Sequence, residues 1–272
     1  MAEARMIDLH THMLPDWDDG ANDPAEVIKM CHVARRDGIR AVVCTPHIGR
    51  MTRHGDDLKS LKARMAVFSE LSDQLPVKVY PGAEVFVHAE MVENIKRYEL
   101  TINHSHYVFI EFPADSIIPG AKDLFFKLMV AGYIPVISHP ERNAAFAERP
   151  SLLYDLIKMG SFAQVTAMSI VGEFGPQTKK TAEVFLKHNL VQIIASDAHN
   201  AERRPPRLSH AVEEAGKIIG AEKSQAMVTE IPQAILENRA VPDYGEPENP
   251  ERRRKWMVKM PRFLLKGKFS SE

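Results

Sequence analysis

The chain has 272 residues, 44% of them hydrophobic, with a formal net charge of −1; that supports one α/β barrel-sized domain or two small ones and argues neither for nor against nucleic acid. Its two cysteines, Cys31 and Cys44, build no disulfide framework and indicate a reducing, cytoplasmic setting. The first residues carry no charged region followed by a long apolar run, and no stretch approaches the roughly 18 apolar residues of a membrane span, so neither a signal peptide nor a transmembrane helix is expected.

Seven short apolar runs rich in β-branched residues recur along the chain, at 6–12, 40–47, 77–85, 107–113, 134–142, 161–167 and 191–199. Helical patterns fall between them at 23–37, 56–75, 88–97, 120–131, 150–159 and 176–189, with Gly38, Gly132 and Gly160 placed as helix stops. Strands alternating with helices predict parallel pairing through βαβ crossovers. Seven such units suit a barrel better than an open sheet.

The working face of such a barrel lies at the C-terminal ends of its strands. The first run delivers His10 and His12, whose i, i+2 spacing puts both imidazoles on one strand face, followed by Asp18, Asp19 and Gly20. The second ends in Cys44-Thr45-Pro46-His47, the third in Pro81-Gly82-Ala83-Glu84 and the fourth in Glu111-Phe112-Pro113. The fifth ends in Ser138-His139-Pro140-Glu141-Arg142 and the seventh in Ser196-Asp197-Ala198-His199. Six of the seven runs thus present a metal-type ligand at the same edge. Histidines scattered through a core would not align this way.

The candidate ligands are His10, His12, Asp19, His47, Glu84, Glu111, His139, Asp197 and His199. They exceed the three or four that one tetrahedral ion takes, so two or three ions sharing a bridging carboxylate are expected. Mixed imidazole and carboxylate donors suit divalent manganese, iron or zinc. Ions about 3.5–4 Å apart generate a bound hydroxide and clamp both oxygens of an in-line displacement, the chemistry of phosphoester or amide hydrolysis. Arg142 follows His139 and Arg204 follows His199, and guanidinium forks match phosphate oxygens. The pair favours phosphate.

Taken together, the motifs DLHTH, DDG, TPH, PGAEV, IEFP, SHPER and SDAHN followed by RPP resemble the PHP (polymerase and histidinol phosphatase) superfamily. Within it they are most similar to the bacterial metal-dependent protein-tyrosine phosphatases of capsule and exopolysaccharide biosynthesis, over residues 6–239. The resemblance implies a distorted (β/α)7 TIM-like barrel with a trinuclear, commonly manganese-dependent centre. It implies His10, His12, Glu84 and Asp197 on the first ion, with Glu84 bridging to a second held also by Glu111 and His139. Asp19, His47 and His199 would hold the third. Arg142 and Arg204 match phosphate-binding arginines, and Asp197 or His199 could move a proton. The implied substrate is a phosphotyrosine protein, in particular the membrane-associated tyrosine kinase of such a pathway. Histidinol phosphate or another small phosphoester is the nearest alternative. A silent metal-binding scaffold that docks a kinase is the non-enzymatic one.

Two further stretches carry expectations of their own. Cys44 to Arg50 spells C-x5-R, the pattern of cysteine-dependent phosphatases, but Pro46 has no N–H to offer an oxyanion and the apolar run before Cys44 predicts a buried thiol. Residues 1–243 read as the barrel and 244–272 as a short basic tail. Within 251–272 eight Lys or Arg stand against two Glu, interleaved with large apolar residues, a mixture that suits an anionic membrane surface or an acidic partner. His32, His188 and His210 fall on helical stretches, His104 and His106 precede their strand, and His88 lies near the rim; none is expected to bind metal.

Overall fold

The computed structural model describes residues 6–50, 52 and 58–251, and each of the seven apolar runs forms strand. The first is β1 (Met6–Thr11), buried along its whole length. The second run divides into β2 (Ile39–Cys44) and β3 (His47–Ile48), the third into β4 (Lys78–Pro81) and β5 (Glu84–Phe86). The remaining runs give β6 (Tyr107–Glu111), β7 (Ile134–Ile137), β8 (Phe162–Thr166) and β9 (Ile193–Ala195). The two divisions have local causes. Pro46 cannot donate to a ladder, and Gly82 lies so close to β2 that a Cβ there would meet Val43 Cγ1 at 2.8 Å.

All strand pairings are parallel, in the orders β1–β2–β4 and β3–β5–β6–β7–β8–β9. The chain runs from β2 into β3 and from β4 into β5, which links the two sheets. The last strand returns to the first. Asp197 N–H donates to the His10 carbonyl at 3.0 Å and His12 N–H to the Ala198 carbonyl at 2.7 Å. The result is a curled parallel sheet of the TIM-like kind, buried on both faces: Phe109 packs beside His10 on the inner one, while Ile7 and Leu9 leave the opposite face of β1, all without solvent exposure.

The helices follow the sequence signals closely where those are strong. Pro24–Arg36 begins at Asp23, whose carboxylate accepts from Glu26 N–H at 2.8 Å, with Pro24 in its first turn and Arg35 and Arg36 in its last. Met91–Tyr98, Ala121–Val130, Pro150–Lys158 and Pro176–Lys187 form as expected. Gly38, Gly132 and Gly160 end their helices at φ of 87°, 89° and 111°. The pattern at 56–75 does not make one helix. It yields Leu58–Met65, Val67–Glu70 and a 3-10 turn at Ser72–Gln74, because Ala66 N–H bonds to the Ala63 carbonyl and tightens the turn that closes the first piece. After β9, Ser209–Ile219 forms the helical stretch expected around His210, whereas Ala221–Ala226 and Glu230–Leu236 had no counterpart in the strand–helix reading.

The first residues of the expected tail pack on the barrel. Tyr244 tilts against Phe162 with centroids 5.3 Å apart, Lys158 Nζ meets Glu246 at 2.6 Å, and Glu251 accepts from Ser151 N–H and Oγ at 3.0 and 2.8 Å. The basic stretch from residue 252 onward lies outside the described residues. Among the described residues no helix is long and apolar enough to cross a membrane.

Candidate metal centre

The strand ends converge on one pocket of imidazoles and carboxylates. His10 and His12 leave β1 side by side, their Nε2 atoms 3.2 Å apart. Each faces two carboxylates. Glu84 Oε2 is 3.3 Å from His10 Nε2 and 3.5 Å from His12 Nε2, and Asp197 Oδ1 is 3.6 and 3.2 Å from the same atoms. His47 Nδ1 lies 3.0 Å from Glu84 Oε2 and 3.6 Å from Glu111 Oε2. Asp19 Oδ1 stands 3.6 Å from His47 Nε2 and 3.3 Å from His199 Nε2. His139 Nε2 reaches the other oxygen of Glu84, Oε1, at 3.1 Å.

Three overlapping groups therefore have donor atoms close enough to share an ion: His10, His12 and Asp197; His47, Glu84 and Glu111; and His12, Asp19, His47 and His199. All nine sequence candidates meet here. The grouping differs in detail from the partition that the family resemblance implies, since His47 faces both Asp19 and the Glu84–Glu111 pair, while His139 touches the centre through Glu84.

The donor set fits divalent cations on an observation of its own. His47 Nδ1, Glu84 Oε2 and Glu111 Oε2 are buried atoms without a hydrogen-bond partner among the described residues, and they point at one another. Buried polar atoms left unsatisfied cost about 1–3 kcal/mol each. A cation would satisfy the two carboxylate oxygens directly, and one held on the Nε2 side of His47 would fix hydrogen on Nδ1, 3.0 Å from Glu84 Oε2, as a donor. Protonation follows the same logic. Burial raises Glu111 to about 7, with the neighbouring Glu84 charge adding to the shift. Burial opposes ionisation of Glu84 and Asp197 as well, yet the facing imidazoles hold both well below the usual carboxylate range, helped at Asp197 by Arg204 and Arg142. Burial, then the Arg142 charge, lowers His139 to about 4 and keeps its ring neutral.

Supporting contacts aim these donors. Asp18, fully buried, accepts from His12 Nδ1, His47 N–H and Gly20 N–H, each at 2.9 Å. Its bond to Nδ1 leaves the Nε2 lone pair of His12 facing the centre, as second partners of metal-binding histidines do. Gln164 Oε1 on β8 does the same for His10 Nδ1 at 3.1 Å and also accepts from His139 N–H at 3.2 Å. Asp8 accepts from Ser196 N–H at 3.0 Å, which ties β1 to the strand carrying Asp197. The 18–20 loop folds so tightly against β1 that a Cβ on Gly20 would sit 2.1 Å from the His12 carbonyl oxygen. His139 and Asp197 both hold left-handed backbone, at φ of 32° and 53°, a strain of about 1–3 kcal/mol each that clusters at functional sites.

The arginines lie where the sequence spacing put them. Arg142 Nη1 and Arg204 Nη2 both bond to Asp197 Oδ2, the second at 2.6 Å. Arg203 is exposed and takes no part. Cys44 is fully buried and its thiol is pushed well up by that burial; Arg50, the other end of the C-x5-R string, lies 3.8 Å from Glu111 and stacks over Phe86 instead. Among the other histidines, His106 Nδ1 bonds the Gly132 carbonyl at 2.9 Å and His188 Nδ1 the Val184 carbonyl at 2.9 Å. Sequence reasoning named Asp18 only as the neighbour of Asp19, and it missed Gln164. A lone glutamine in the apolar Phe162–Thr166 strand was the available signal for Gln164.

Comparison with known proteins agrees with this geometry. The chain matches the family model for capsular polysaccharide synthesis, CpsB/CapC, over residues 6–237. It is 38% identical over 260 residues to the tyrosine-protein phosphatase YwqE of Bacillus subtilis (strain 168), covering 92% of this chain and 98% of that protein. It is 29% identical over 245 residues to the tyrosine-protein phosphatase CpsB of Streptococcus pneumoniae, covering 87% and 100%. Its fold superimposes with a TM-score of 0.84, at 35% identity and over 91% of this chain and 100% of the other, on a crystal structure from the work on YwqE of B. subtilis and CpsB of S. pneumoniae, described there as unique metal-dependent tyrosine phosphatases. The family that the motifs resembled is thereby borne out: the chain belongs to the CpsB/CapC family.

Proposed function

We propose that this chain is a metal-dependent protein-tyrosine phosphatase that acts on the tyrosine kinase of a capsule or exopolysaccharide pathway. The observation that carries the reading is the convergence of two guanidinium groups on Asp197 beside a buried cluster that holds orphaned ligand atoms, on the scaffold of a family whose members are named tyrosine phosphatases. We read the scaffold as a distorted (β/α)7 barrel of residues 1–243, followed by the 244–272 tail.

His10, His12 and Asp197 would hold one ion with Glu84; Glu84, Glu111 and His139 a second; Asp19, His47 and His199 a third. A neutral imidazole offers one lone pair, so His47 serves one position only, and we assign it to Asp19 and His199. Manganese suits this oxygen- and nitrogen-rich set, as do iron and zinc. When bound, divalent ions supply the charge that polarises a phosphoryl oxygen and acidifies water.

The protein's own residues do the rest. Arg142 and Arg204 hold the phosphate in forked hydrogen bonds. Asp197, which positions both guanidinium groups, is too acidic to serve as a strong base. His199 donates Nδ1–H to the Asp197 carbonyl at 2.9 Å and turns Nε2 toward Asp19, which gives it a ligand's role and leaves no nitrogen to carry a proton. A tyrosine phenolate, with a solution pKa of about 10, leaves far more readily than an alkoxide and needs least help from a general acid. We place the activity in the cytoplasm, with the basic tail resting on the anionic inner face of the membrane.

The test is a substrate panel: a phosphotyrosine peptide, histidinol phosphate and a dinucleotide, each with and without chelator. Chelator-sensitive turnover of the peptide is expected. A strong preference for histidinol phosphate would move the chain to a small-molecule role.

A further inference from the structure

The one sequence run that brings no ligand to the catalytic edge brings an aromatic ring there. After β8 the chain forms a helix at Ala167–Val171, then turns through residues 172–175 into helix Pro176–Lys187. Gly172 and Gly175 take left-handed backbone at φ of 94° and 93°, a conformation that costs glycine little. The turn is pinned by Gly172 and Glu173 N–H, both donating to the Met168 carbonyl at 3.1 and 2.9 Å, and by Gly175 N–H on the Gly172 carbonyl at 3.0 Å. Phe174 sits between the two glycines on this fixed loop.

Its surroundings are unusual for a phenylalanine. Phe174 is not among the residues that pack into the apolar core or against it. Its ring lies over two cations instead, with the Arg142 and Arg204 guanidinium carbons 5.0 and 5.9 Å from its centroid. These are the two groups that converge on Asp197. The ring is half-buried, so part of it remains open beside the anion position.

We propose that Phe174 is a specificity-determining residue that selects aryl phosphates over alkyl ones, which rests on the phosphatase reading above. An anion gripped by both arginines has the buried imidazole and carboxylate floor on its inner side. Its ester substituent must therefore project outward, past the loop that carries Phe174. A phenyl ring leaving that position meets an aromatic face already held in place by two cations, and offset or edge-on ring pairs contribute a gain of about 2- to 12-fold in binding. An alkyl substituent gains only part of it.

Binding of phenylphosphonate, methylphosphonate and inorganic phosphate to the metal-loaded protein tests this, by calorimetry and as inhibition of aryl phosphate turnover, in wild type, Phe174→Ala, Phe174→Leu and Phe174→Tyr. Phe174→Ala is expected to weaken phenylphosphonate by about 3- to 10-fold and leave the other two anions essentially unchanged. The same variant should raise KM for a phosphotyrosine peptide more than it lowers kcat, with Phe174→Tyr close to wild type and Phe174→Leu between. Equal weakening of all three anions would mean that the ring only steadies the arginines, and no weakening would mean that it touches nothing; either overturns the inference. If wild type neither binds phenylphosphonate nor hydrolyses aryl phosphates when loaded with metal, the phosphatase reading itself fails.

Discussion

Replacing Asp18 by Asn tests whether the metal centre depends on groups that never touch an ion. The carboxylate is fully buried and accepts three hydrogen bonds, with Oδ2 serving His12 Nδ1 and His47 N–H, and Oδ1 serving Gly20 N–H. The amide has the same shape but only one acceptor oxygen. Turned one way, its NH2 faces two donors; turned the other, it faces Gly20 N–H. At least one buried N–H then loses its acceptor, at about 1–3 kcal/mol, which corresponds to a fall in melting temperature of about 2–4 °C per kcal/mol. The larger effect is on His12. With the amide oxygen turned to His12 and His47, the ring loses the carboxylate charge that strengthens Nε2 as a ligand, and NH2 then opposes Gly20 N–H and loosens the loop that carries Asp19. With NH2 turned to Nδ1 instead, hydrogen on Nε2 is favoured and the lone pair aimed between Glu84 and Asp197 is lost. Loss of such a partner lowers metal affinity by about 10- to 100-fold. Competition against a metal-sensitive dye measures the affinity, and a melt of the metal-free protein separates it from stability. An Asp18→Asn protein that binds manganese as tightly as wild type would show that Asp18 does not aim His12 at an ion, whatever its melting temperature.

Three other outcomes follow from the same geometry. Cys44→Ser should preserve turnover per folded molecule to within about twofold, because a buried, un-ionised thiol is no nucleophile, while the hydroxyl lowers stability by about 1–3 kcal/mol; loss of activity in the folded variant would restore the cysteine mechanism. Arg142→Ala should lose about 1.5–3 kcal/mol of charged hydrogen bonding, a fall of about 10- to 150-fold in kcat/KM for aryl phosphates, with Arg142→Lys restoring only part of it because an ammonium cannot fork; unchanged kinetics would remove Arg142 from phosphate binding. Metal affinity should rise with pH up to neutrality. Glu111, at about 7 in the metal-free chain, is protonated below that value and must release its proton to bind, and His10 and His12, both raised, act in the same direction. Affinity that is flat between about pH 5.5 and 7.5 would contradict the assigned ligands.

The clustering of the candidate ligands was legible because each of them ends, or follows, a strand whose apolar run announces it, and the parallel topology forces those ends to one edge. His10 and His12 needed only the two-residue period of a strand. Asp19 was harder to separate from Asp18, since adjacency hides which carboxylate faces inward; the answer came from the tight fold of the loop over Gly20. The break between β2 and β3 was written in Pro46, yet a run of apolar residues masks such a break. The strain at His139 and Asp197 has no sequence signal, because neither residue type favours left-handed backbone strongly enough to mark it. Phe174 was invisible for a related reason. A phenylalanine between two glycines reads as a turn, and only the meeting of two distant arginines beneath it gives the ring a purpose.

In the function proposed above, divalent ions held by the strand-end imidazoles and carboxylates carry the phosphatase activity. Its most direct test is to strip the protein with chelator, return manganese in measured amounts, and follow both bound metal and phosphotyrosine-peptide turnover on the same sample. Turnover should vanish on stripping and return as two to three ions bind per chain, in keeping with the three overlapping ligand groups. Turnover that survives complete removal of metal would contradict it.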